Sequence, residues 1–155
     1  MGTLDKIFPR QANNDYEGSP IAFYGFCLIV AMTTFRSLVH LLAPDSGLQS
    51  IATIILFPGD PDPNQVIRAF SSLWGGQQLL MVFLYGIALW RYRNLIPLLL
   101  LLFIIEILFR LLSGTLHPLG PEYYASTPPG KLANLPLLAV TIVLFVLSLR
   151  PRAKG

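Results

Sequence analysis

The chain has 155 residues, of which 54% are hydrophobic and only 12% charged, with a net charge of +3 at neutral pH. Soluble domains carry roughly 25% charged residues, so this set cannot build a water-facing surface, and its long apolar runs exclude a disordered chain. What remains is an integral membrane protein, residues 1–155 forming one domain of a few spans with no separate soluble catalytic unit.

The first 19 residues are polar and mixed in charge (Asp5, Lys6, Arg10, Asp15, Glu17), unlike the basic start of a signal peptide, so no cleavage is expected. The first span is read over 20–43. It carries the lone Cys27, which has no partner for an intrachain disulfide and reads as a small buried hydrophobe. In the long connection that follows, Ser46 stands as a cap before LQSIATIILF. Leu48, Ile51, Ile54 and Ile55 recur there at helical spacing, which predicts a short interfacial helix, with a re-entrant or packed loop helix as the other reading.

The stretch DPDPN (60–64) resembles the start of a calcium loop. Gln65 stands where that loop needs glycine and Ser71 where it needs an acid, so it reads as a turn and cap for the second span. That span is expected over 66–90, with Gly75-Gly76 marking a close helix approach. A short connection then predicts an antiparallel hairpin with the third span, 95–112. The second long connection, HPLGPEYYASTPPGK, puts Tyr123 and Tyr124 in an aromatic belt, and 132–149 completes the set. Pro20, Pro97 and Pro136 are each expected in the first turns of their spans. Each span is long enough to cross a ~30 Å hydrocarbon layer at ~1.5 Å per residue, and in lipid it must be helical. The fold class is an all-α, antiparallel four-helix transmembrane bundle with a short interfacial helix in the first outer loop.

Basic residues orient it. Lys6, Arg10, Arg91, Arg93, Arg150, Arg152 and Lys154 fall on one side, against Lys131 alone on the other. Both termini are therefore expected in the cytoplasm, with a bacterial inner membrane as the default host. The basic residues form no dense patch, so no nucleic-acid partner is expected. His40 and His117 share no helix with a second ligand, and neither a metal site nor a cofactor motif is read.

Three arginines and one glutamate lie within the spans, where a charge costs about 2.5–3.5 kcal/mol on insertion scales and usually marks function. Helical spacing puts Gly25, Ile29, Met32, Arg36 and His40 on one face of the first span. It groups Arg68, Ser71, Ser72, Gly75 and Gln78 on the second, and Glu106, Arg110 and Ser113 on the third. At ~1.5 Å per residue, Arg36 lies ~24 Å, Arg110 ~22 Å and Glu106 ~17 Å from the cytoplasmic ends, with Arg68 ~3 Å and Gln78 ~18 Å below the outer boundary. These depths predict an outward polar cleft with Glu106 at its floor and a surplus of two positive charges.

The motifs RAFSSLWGG (68–76), EILFRLLSGTLHP (106–118) and TPPG (127–130) resemble those of small four-span membrane proteins from bacterial genomes, across spans two to four. That resemblance implies a fold and no reaction. The leading functional reading is a cleft in which Arg36, His40, Arg68, Gln78, Arg110 and His117 bind an anionic or carboxylate-bearing amphiphile. A small enzyme acting on a lipid or isoprenoid-like substrate, with Glu106 as acid or base, is the second. An accessory subunit of a larger membrane complex is the third, and a proton-coupled transporter the fourth; a homo-oligomer or such a complex, beside the lipid bilayer, is the partner expected.

Overall fold

The computed structural model describes residues 2–151, which form five α-helices: α1 (Thr3–Ile7), α2 (Pro20–Leu42), α3 (Pro63–Arg91), α4 (Ile96–Leu116) and α5 (Pro129–Leu149). The last four are long and apolar enough to cross a membrane, and they form an all-α four-helix bundle. Exposed Leu28, Phe35, Leu73, Phe83, Phe109 and Leu135 give it an outer surface suited to lipid rather than water. The chain is an integral membrane protein.

The helix starts follow local chemistry. Ser19 caps α2 by accepting from the Ile21 amide, and Asp62 caps α3 by accepting from the Asn64 amide at 2.9 Å. Proline follows each cap at the first helical position, where its missing N–H removes no helix bond. The helices α3, α4 and α5 extend beyond their expected limits by up to a turn, because caps and prolines rather than hydropathy set their ends. Since α5 begins at Pro129, Pro136 falls inside the helix and not in its first turn, and the carbonyl of Leu132 loses its usual donor.

Two ends of the bundle differ. At one end the N-terminal segment crosses beneath the helices and is tied to them. Lys6 Nζ donates to the Leu149 carbonyl at 2.8 Å, at the C-terminus of α5, where a cation is favoured. The Asn13 amide donates to Asn94 Oδ1 at 2.9 Å, and Asn94 Nδ2 to the Gln11 carbonyl at 2.8 Å. The core lies in this half. Phe26 of α2 meets Tyr85 of α3 edge to face at 5.4 Å, and both pack on Ile96, Leu100 and Phe103 of α4. The basic residues Arg152 and Lys154 lie outside the described residues.

At the other end are the two long loops. The stretch 48–57 is not the interfacial helix its spacing suggests. Ser46 (φ 50°) and Gly47 (φ 72°) turn the chain back in the left-handed region, and Thr53 (φ 53°) does so again. Asp45, not Ser46, supplies the cap, accepting from the amides of Gly47, Gln49 and Ser50. The stretch from Ile54 then runs extended and bridges Tyr124 of the second loop, with Ile55 N donating to the Tyr123 carbonyl. Burial of Leu48 and this loop-to-loop pairing override the helical spacing.

The packing order also differs from the hairpin read at the short connection. The closest backbone approaches join α2 with α3 and α4 with α5, while α3 and α4 meet through core side chains such as Tyr85 and Leu100. Gly75 explains the first pair: a Cβ there would stand 2.8 Å from both His40 Cβ and the Leu41 amide. Gly86, further along α3, has nothing within 4 Å of such an atom. Gly75→Ala is therefore expected to destabilise the bundle by about 1–3 kcal/mol through overpacking. Gly86→Ala should be neutral or stabilising by up to about 1 kcal/mol through helix propensity. Thermal unfolding of the two variants in one detergent compares them; equal midpoints would remove the close-approach role of Gly75.

Candidate functional site

The loop half of the bundle, where small and polar side chains replace most of the large core ones, holds a partly open cavity of about 370 Å³. Arg36 and His40 of α2, Trp74 of α3, Phe103 and Arg110 of α4, and Asn134 of α5 line it, with Ile51 and Ala52 of the first loop beside them. Its walls are chiefly apolar, and its polar groups converge from three helices.

His40 is the most constrained of them. It is 3% exposed, and its Nδ1 lies 2.8 Å from the Ser46 carbonyl and 3.0 Å from Ser71 Oγ. A carbonyl can only accept, so Nδ1 carries the proton. Ser71 donates its own hydroxyl proton to the same carbonyl at 2.7 Å. In the neutral ring Nε2 is then an acceptor, and it has no protein partner among the described residues. Gly47 lies against the ring, where a Cβ would come within 2.6 Å of Nδ1. Trp74 packs edge-on against the other side at 4.8 Å.

Arg36 sits one turn earlier on the same face. Its guanidinium stands 5.0 Å from the Trp74 ring centre, a cation–π contact. Among the described residues it has no ion pair and no side-chain hydrogen bond. Arg110 does have a partner: its Nη2 lies 3.0 Å from Glu106 Oε2, one turn earlier on α4. The contact is not aligned as a hydrogen bond, so Arg110 Nε and Nη2 remain buried donors without an acceptor. The Arg110 side chain is 18% exposed and Glu106 35%.

The remaining expected site residues lie elsewhere. Glu106 does not line the cavity; it pairs with Arg110, rather than forming the cleft floor. Arg68 also falls outside, in the electrostatic reach of Asp62, with Nε buried and unpartnered. Gln78 is buried between α2 and α3, accepting from Ser37 Oγ at 3.2 Å. His117 is exposed at the C-terminal cap of α4. The cavity's formal surplus is therefore one positive charge, carried by Arg36, instead of two. Trp74 and Asn134 join the site without having been expected there. Asn134 left a signal, as a lone amide in an apolar span, whereas Trp74 reads as any lipid-facing aromatic.

No metal-ligating cluster of His, Cys, Asp or Glu occurs among the described residues. No family model, curated protein or solved structure matches the chain.

The first loop depends on Asp45. Burial raises its carboxyl pKa, but hydrogen bonds from Ser50, Gly47 and Gln49 together outweigh that and hold it below the ordinary aspartate value. A folded-state pKa below the unfolded one gives stability that is full above the unfolded value, ~3.9, and lost as pH falls through the folded value. Protection of amides 47–52 against hydrogen exchange should therefore fall on acidification below the aspartate range. Asp45→Ala should lower protection already at neutral pH and remove the acid step. Persistence of that step in the variant would assign it to another group.

Proposed function

We propose that the cavity binds the anionic headgroup or carboxylate of an amphiphilic molecule. The observation that carries this reading is Arg36, a partly buried guanidinium on a mostly apolar cavity wall with no ion pair of its own among the described residues. Arg110 adds buried donors that Glu106 leaves unmet. Guanidinium groups grip carboxylate and phosphate in a bidentate fork, and an anion between Arg36 and Arg110 would satisfy both. A volume of about 370 Å³ is at the lower end of ligand pockets, suited to a headgroup rather than a whole lipid. The basic residues at the end of the termini propose a cytoplasmic location for that end in a bacterial inner membrane, so that the cavity opens in the outer half.

Glu106 takes a positioning role in this reading, steadying the Arg110 guanidinium. An acid–base role would need its carboxyl to reach a substrate in the cavity, and its contact with Arg110 favours the first role. His40 Nε2 offers a hydrogen-bond acceptor for a hydroxyl on the headgroup.

Hexadecyl phosphate provides a test. Binding to the purified chain in neutral detergent, followed by native mass spectrometry or calorimetry, should weaken about tenfold or more in Arg36→Ala and in Arg110→Ala, as expected for lost charge-assisted hydrogen bonds. Arg68→Ala should bind as the unaltered chain does. Equal affinity in all three variants, or equal binding of uncharged hexadecanol, would remove the anion site.

A further inference from the structure

The cavity adjoins a second space. On the side toward the termini, α2 and α5 leave an apolar groove on the bundle surface, with Tyr24, Leu28 and Met32 along one edge and Ala133, Pro136 and Val140 along the other. Ile29, Met32, Ala133 and Leu137 line both cavity and groove, so the two are continuous. No charged side chain lines the groove.

Its shape follows from two residues. Gly25 lets α2 settle on Leu144, where a Cβ would meet the leucine methyls at 2.6 Å, and this contact floors the groove. Pro136 interrupts the hydrogen-bond ladder of α5 at the groove edge. From Pro20 to Met32 the groove follows α2 for ~18 Å at ~1.5 Å per residue. That is somewhat more than half of a ~30 Å hydrocarbon layer, the reach of one membrane-lipid chain.

Resting on the anion-site reading, the geometry points to a single-chain anionic amphiphile whose head sits between Arg36 and Arg110 and whose chain runs in the α2–α5 groove toward Tyr24. Charge complementarity at the cavity end selects this occupant, and one groove meeting the cavity takes one chain. Lipid tails are as apolar as the groove, so burial alone gives the chain no preference for it. The preference arises because a head fixed by the arginines raises the local concentration of its own chain there. The chain then ends near the terminal end of α2. A bulk lipid with its head at the loop end would finish its chain near the midplane.

The test uses hexadecyl phosphate with a diazirine at the end of its chain, photolysed with the full chain in phosphatidylcholine nanodiscs and mapped by peptide mass spectrometry. Adducts on Tyr24, Leu28 and Leu144 are expected, several-fold weaker in Arg36→Ala and in Ala133→Trp, and weaker again with diazirine-labelled hexadecanol. Adducts that need the phosphate and Arg36 but fall on α3 or α4 would overturn the groove while sparing the anion site. Labelling indifferent to the phosphate would overturn both. The comparison of charged and neutral probes on the unaltered chain decides this without any variant.

Discussion

One hydrogen bond organises the loop half of this protein: His40 Nδ1 donating to the Ser46 carbonyl. It joins α2 to the first loop, and Ser71 of α3 donates to the same oxygen, so three elements meet at one acceptor. Two glycines make the meeting possible. Gly47 clears the ring from above in a backbone conformation that side chains disfavour, and Gly75 brings α3 against the backbone of α2 beneath it. In a hydrocarbon surrounding these bonds are stabilising, because the Ser46 carbonyl left unsatisfied would cost several kcal/mol. The loop is thereby held with Ile51 and Ala52 against the cavity, and Trp74 is held where both His40 and Arg36 can rest on it.

The two halves of the bundle divide their tasks by side-chain size. Phe26, Tyr85, Ile96, Leu100 and Phe103 fill the half nearest the termini, and the N-terminal segment closes it by hydrogen bonds to helix ends and to the α3–α4 turn. The loop half has serines, glycines, a histidine and arginines in the corresponding layers. These leave space rather than filling it, and the tight α2–α3 contact at Gly75 keeps that space from collapsing on that side. α5 closes on α2 toward the termini, where Gly25 meets Leu144, and the cavity stays open between those helices beyond it.

Much of the fold was legible because lipid permits so few solutions. Four apolar stretches had to be four helices, and the face of α2 running through Ile29, Met32, Arg36 and His40 does line one cavity. Helical spacing failed where backbone conformation took over: the Leu48–Ile55 pattern was real, but Ser46, Gly47 and Thr53 broke the helix it implied. Depth arithmetic placed Arg68, Gln78 and Glu106 at plausible levels without saying which way they point. Rotation about a helix axis is set by packing, and packing turned Gln78 to Ser37 and left Glu106 against Arg110 and Arg68 outside the cavity. That α3 approaches α2 more closely than α4 was equally hidden, since a short connection fixes direction but not the distance between helices.

Magnitudes decide what Arg36 still lacks. An arginine at the membrane centre costs about 2.5–3.5 kcal/mol on insertion scales, and Arg36, nearer the outer boundary, costs less. A cation–π contact returns roughly 0.5–2 kcal/mol, and Trp74 makes only one such contact with Arg36. Arg110 is a like charge on the same cavity, and Glu106, engaged with Arg110 at 3.0 Å, reaches Arg36 only from beyond ion-pair distance. In the proposed reading, an anion in the cavity supplies the rest. Water would hydrate the guanidinium but add no counter-charge, and it would also have to wet Phe103, Met32 and Leu137. An anion with an apolar chain supplies acceptors to the arginines and apolar contacts to those walls together, which is why the same residue that marks the site also constrains the chemistry of its occupant.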